Sequence, residues 1–164
     1  MPISEYLSYF TSLATQSPSA YAILRGSYAY PNIYGEVRFF QTIYGTLVSA
    51  EVFGLPSGSS PCISPVLGFH IHSGTQCTGS PVDPFSDALT HYNPSACAHP
   101  YHSGDLPPLF GNNGYAFSMF LTNRFSVSEL IGRTVILHSA PDDFTSQPAG
   151  NSGSKIACGT IVAS

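Results

Sequence analysis

Charge is scarce in this chain. Only 9% of its 164 residues are charged, five of them basic and nine acidic, for a net charge of −4. Five basic residues cannot build a surface that neutralises phosphates, which excludes nucleic-acid binding. Long apolar runs are missing too, and none approaches the ~20 residues of a membrane span. The opening stretch MPISEYLSYFTSLAT lacks a positive start and a continuous apolar centre. It does not read as a signal peptide, so the cytoplasm is the expected location. No Asn-x-Ser/Thr site with a non-proline middle residue occurs, so N-glycosylation is not indicated. The cysteines are Cys62, Cys77, Cys97 and Cys158. They are too few for a disulfide-dense scaffold, and without a CxxC pair they form neither a zinc ribbon nor a redox motif.

Turn-formers and aromatics are plentiful: 15 Gly, 14 Pro, 10 Tyr and 11 Phe. With few helix-formers, this composition predicts an all-β fold with long loops, and the length suits one domain. Apolar residues at Ile3, Tyr6, Leu7, Phe10 and Leu13 have helical spacing. They predict a short amphipathic helix that Pro18 ends, so residues 1–17 form an N-terminal extension and residues 18–164 the domain. Strand patterns follow at 20–25, 34–41, 46–53, 66–72, 106–110, 115–122, 134–138 and 155–163. Gly45 marks one hairpin and Asn113-Gly114 another. Residues 73–105 and 139–154 read as long loops. A loop as long as the first, inside one domain, points to function.

Histidine is concentrated in that loop region. The six are His70, His72, His91, His99, His102 and His138, and five fall between positions 70 and 102. In GFHIHSGTQC, His70 and His72 alternate along a strand, so they share one face with Cα atoms roughly 6.6 Å apart. Read alone, the pair is either two ligands of one metal or two hydrogen-bonded imidazoles. In HYNPSACAHPYHSGD, His91, His99, His102 and Asp105 make a four-ligand set on one loop, the number zinc prefers. Metal binding would also order that loop. His138 ends TVILH and, read alone, is a core or surface histidine.

The ordered motifs GFHIH, HYNP, HSGDLP, GRTVILH, PDD and GNSGSKIACG resemble the copper/zinc superoxide dismutases over roughly residues 20–162. That resemblance implies an eight-stranded antiparallel Greek-key barrel or sandwich, immunoglobulin-like, with both metals held by the two long loops. It implies copper ligands His70, His72, His91 and His138. It implies zinc ligands His91, His99, His102 and Asp105, with His91 bridging the metals. Asp142 resembles the aspartate that orients His70 and His99 through their other ring nitrogens. Cys77 and Cys158 resemble the family's intrachain disulfide, which the family keeps even in the cytosol. Cys62 and Cys97 have no counterpart; they are either paired with each other or two inert buried thiols.

The implied reaction is dismutation of superoxide to dioxygen and hydrogen peroxide; neither a nucleic-acid nor a membrane partner is expected, and the sequence leaves open whether the chain is a monomer or a homodimer. Three features depart from the family. Lys155 stands where the family carries a catalytic arginine, and an ammonium lacks the guanidinium fork. Loop 139–154 is short and holds no lysine or glutamate, so anion steering is expected to rest on Lys155. His99 and His102 are only three apart, and an insertion, TGSPVDPFSDAL, precedes His91. Those departures keep an alternative open: a copper store or scavenger with little dismutase activity. A zinc-stabilised binding module without copper would require His70, His72 and His138 to be incidental.

Overall fold

The computed structural model describes residues 3–58 and 65–164. Strands dominate it. They are β1 (Ala20–Gly26), β2 (Tyr34–Thr42), β3 (Gly45–Phe53), β4 (Val66–Leu67), β5 (Phe69–His72), β6 (Leu109–Phe110), β7 (Tyr115–Thr122), β8 (Thr134–His138) and β9 (Lys155–Ala163). Seven of them form one antiparallel sheet in the order β5, β8, β9, β1, β2, β3, β7. The remaining two, β4 and β6, pair with each other, and β6 lies against β7. The curled sheet is thereby carried round into an all-β Greek-key barrel.

Alternation along the strands explains which side chains fill the barrel. Ala20, Ala22 and Leu24 of β1 are fully buried, whereas Ile23 faces outward. Val37 and Phe39 of β2, and Val48, Ala50 and Val52 of β3, continue the same interior. In β8 every residue is buried, because both faces of that strand are covered. Val135 and Leu137 join the barrel core. Ile136 points the other way and packs with Phe85, Ala88 and Cys158 in a second, smaller cluster. The insertion before His91 therefore has its own apolar anchor on the outside of the barrel.

Two expected strands are shorter than their patterns suggested. The run 66–72 breaks at Gly68, whose N–H donates to the Ala140 carbonyl at 2.8 Å. A Cβ there would sit 2.9 Å from the Ser152 side chain, so the position needs glycine. The break sends β4 to β6 and β5 to β8, giving nine strands among the described residues where eight were expected. Of 106–110 only Leu109–Phe110 pair, because Pro107 and Pro108 have no N–H to give a ladder. The Asn113-Gly114 turn forms as expected, both residues at positive φ (50° and 85°).

The helical pattern at the N-terminus forms α1 (Ile3–Ala14). It lies mostly exposed on the barrel, with Tyr6 and Tyr9 set edge-on against Tyr44 at 5.5 and 5.9 Å between ring centres. A second helix of one turn, α2 (Val127–Leu130), falls between β7 and β8, where no helix was expected. Among the described residues, no helix is long and apolar enough to cross a membrane.

Candidate metal centre

The strand β5 sets the site. Phe69 and Ile71 point into the barrel core, so His70 and His72 must share the opposite face. One edge of β5 pairs with β8, and the other takes in the long loop. His70 faces Asp105 and His72 faces His91 across isolated bridges. The Tyr92 N–H donates to the Ile71 carbonyl, and the Ile71 N–H donates to the Gly104 carbonyl. The loop's histidines are thus pinned to the strand by backbone bonds. From the other side, β8 ends on His138 at a register shift opposite Lys155.

These elements bring all six histidines together, and every one of them is buried. Their ring atoms and the Asp105 carboxylate fall into two quartets: His70, His72, His91 and His138; and His91, His99, His102 and Asp105. Within each quartet the donor atoms lie within 4.8 Å of one another. His91 belongs to both. The two quartets contain the same residues that the sequence grouped.

Hydrogen bonds decide which ring nitrogen each histidine offers. His72 Nδ1–H donates to the Leu89 carbonyl at 2.9 Å and His138 Nδ1–H to the Gly153 carbonyl at 3.3 Å. Their Nε2 atoms, 3.3 Å apart, face each other across the first quartet. His70 Nε2–H donates to Asp142 Oδ2 at 2.8 Å and His99 Nε2–H to Asp142 Oδ1 at 2.9 Å. One carboxylate therefore turns His70 Nδ1 toward the first quartet and His99 Nδ1 toward the second. His70 Nδ1, His91 Nε2, His99 Nδ1 and His102 Nδ1 are buried without any hydrogen-bond partner. His99 Nδ1 and His102 Nδ1 lie 3.1 and 3.3 Å from Asp105 oxygens, but these approaches lack hydrogen-bond geometry. His70 Nδ1 and His91 Nε2 serve the first quartet, and His99 Nδ1 and His102 Nδ1 the second. Buried unpaired nitrogens are costly, so two of them in each quartet mark donor sets made for cations. Imidazole suits both copper and zinc, and three imidazoles with one carboxylate suit zinc.

Burial also keeps the lone pairs free. It pushes His70 down to about 2, helped by the neighbouring imidazoles of His91 and His138. Burial, then His138 and His91, hold His72 well below the usual imidazole range. His138 falls to about 4, chiefly by burial and against its bond to the Gly153 carbonyl. All three are neutral at pH 7, as metal ligands must be. For Asp105, burial pushes the carboxyl up, but the His91 hydrogen bond and the nearby imidazoles outweigh it and leave it lowered.

A family model described as copper/zinc superoxide dismutase matches residues 33–161. The superoxide dismutase [Cu-Zn] of Deinococcus radiodurans is 33% identical over 147 residues, covering 79% of this chain and 77% of that protein. That of Legionella pneumophila is 34% identical over 139 residues, covering 80% and 79%. The chain belongs to the copper/zinc superoxide dismutase family. Among solved structures, a double mutant of an SOD-like protein from Bacillus subtilis superposes with a TM-score of 0.70 at 25% identity, covering 87% of this chain and 97% of that one. For this family member the two quartets fit copper and zinc.

The disulfide expected from the resemblance is present: Cys77 and Cys158 are bonded, with Cα atoms 5.6 Å apart across 81 positions of sequence. Cys97 is exposed, which corrects the expectation of a buried thiol; asparagine side-chain bonds from Asn93 hold its backbone in a surface turn. Cys62, and with it any pairing to Cys97, lies outside the described residues.

Lys155 lies beside the first quartet and lines the same cavity, of about 590 Å³, as His72, His91 and His138. It does not stand there as a bare cation. Its Nζ donates to Asp83 Oδ2 at 2.7 Å. Asp83 was not singled out by sequence, because it sits in the insertion between two prolines with no chemical motif around it. Arg124 was also missed. Its Nη1 donates to the carbonyls of Pro100, His102 and Asp105 at 3.2, 3.1 and 3.0 Å, fastening the zinc-side loop to the barrel.

Proposed function

We propose that this protein dismutates superoxide to dioxygen and hydrogen peroxide, with copper held by His70, His72, His91 and His138 and zinc by His91, His99, His102 and Asp105. The observation that carries the reading is His91. It offers Nε2, buried and unpartnered, to one quartet, and Nδ1, 2.7 Å from Asp105 Oδ1, to the other. Copper, when bound, supplies the one-electron exchange with two successive superoxide anions. The chain's residues supply the rest. His91 Nε2 is placed to hold and return a proton on the copper side while Nδ1 stays fixed on the zinc side. Asp142 keeps His70 and His99 from turning. Lys155, in the wall of the cavity and paired with Asp83, is the cation placed to meet an incoming anion.

A copper store would need no second quartet sharing a ligand with the first, and this favours the enzyme over that alternative. A superoxide-decay assay on protein of measured copper and zinc content tests the choice. Rapid decay proportional to copper content is expected. Full copper occupancy with decay no faster than in buffer would favour the store.

Residues 1–17 are an extension to a domain spanning 18–164, and the exposed position of α1 supports that division. The chain assembles as a homodimer in this proposal, which the outward row Phe117, Met119 and Leu121 on β7 supports and light scattering decides. The cytoplasm is the assigned compartment, and cell fractionation with trapping of the Cys77–Cys158 thiol state tests it.

A further inference from the structure

We infer that Asp83 masks the Lys155 ammonium, so that a small anion entering the copper-side cavity gains Lys155 only in competition with the Asp83 carboxylate. This rests on the reading that the copper faces this cavity. Among the described residues lining the cavity, Lys155 is the only lysine or arginine and Asp83 the only carboxylate. Their charges cancel at the wall. A lone cation attracts an anion over about a Debye length, whereas a closed pair presents only a dipole whose field dies faster.

The pair is built into the fold. Phe85 packs with Ile136 and Cys158 outside β8, and that anchor fixes the turn two residues upstream. Within the turn, the Ser80 and Ser86 N–H groups donate to the Asp83 carbonyl. Glycine at 79 is required for this tightness, since a Cβ would meet the Asp83 carbonyl oxygen at 2.3 Å. Asp83 Oδ1 accepts from the Phe85 N–H at 3.3 Å, which leaves Oδ2 for Lys155. The aspartate side chain is 41% exposed and the lysine 16%, so an anion arriving from solvent meets the carboxylate first. Asp83 is thus a positioning residue that acts through Lys155. The net charge of −4 adds to the repulsion and makes the local cancellation matter.

The test uses azide as the anion, titrated into copper- and zinc-loaded protein and followed by visible absorption at several salt concentrations. The proteins are the natural chain, Asp83→Asn, Asp83→Ser, Lys155→Met and the double variant Asp83→Asn/Lys155→Met, all matched for metal content and circular dichroism. Asp83→Asn and Asp83→Ser should each tighten azide roughly threefold to tenfold at low salt. That affinity should then fall as salt is added, whereas the natural chain's stays nearly flat. In the Lys155→Met background, Asp83→Asn should change azide affinity much less. The inference is overturned if both Asp83 variants keep the natural affinity and salt slope, or if the gain is the same without Lys155. Loss of superoxide consumption with the azide pattern intact would instead sink the dismutase reading and leave the masking in place.

Discussion

At the scale of single residues, Asp142 does the most with one side chain. Its two oxygens orient His70 and His99, one from each quartet, and both of its own sides are buried. Asp142→Ala should therefore weaken both metals together, by about 10- to 100-fold each in a chelator competition. Loss of one metal alone would show that the two quartets are oriented separately. The histidines also set a pH limit. His70 and His138 titrate at about 2 and about 4 in the fold, and His72 is lowered too, against about 6.5 for an unfolded imidazole. The unfolded chain binds more protons below about 6.5, so the fold's advantage is complete above that pH. The metal-free protein should lose melting temperature steadily as pH falls from 7 toward 4. A flat profile over that range would mean the imidazoles are not held neutral. These residues were legible in sequence because metal ligands are few in type and kept a recognisable order. Asp83 and Arg124 were not, because their work depends on which loop lies opposite, and no local pattern encodes that.

At the scale of elements, the insertion at 78–89 and the last strand are joined through Cys77–Cys158. Closing so long a loop removes freedom from the unfolded chain, about 4–5 kcal/mol by chain-entropy reasoning. Cys158→Ser should lower the melting temperature and loosen the insertion, because Phe85 and Ala88 pack on the same cluster. Amide exchange across residues 78–89 should rise in that variant; unchanged protection would show that Phe85 alone holds the insertion. The strand pattern was readable where burial alternates, as in β1 and β7, and also in β2 and β3, where it alternates over only part of the strand. It failed at Gly68 and at Pro107-Pro108. In both places the apolar run continues, yet one backbone feature redirects or ends the pairing.

At the scale of the whole molecule, the barrel is a support and the loops are the device. The interior is built mainly from β-strand side chains, with Ile33, Leu55, Tyr92, Leu106 and Phe125 from the connections and Val127 and Leu130 from α2; among the described residues, none of α1 belongs to it. Deleting residues 1–17 should leave metal content unchanged and shift the melting temperature by only a few degrees; collapse of the fold would make α1 part of the domain. The chain's low charge fits this architecture, for the charged groups kept near the site are mostly partnered: Asp142, Asp105, Lys155 and Asp83. Everything converges on the sharing of His91 by two donor sets. Anomalous diffraction from crystals of the oxidised, metal-loaded protein, recorded at the copper and zinc edges, tests that sharing directly. Copper should appear among His70, His72, His91 and His138, and zinc among His91, His99, His102 and Asp105, with the His91 ring between them. A single metal, or two metals of which only one touches His91, would contradict it.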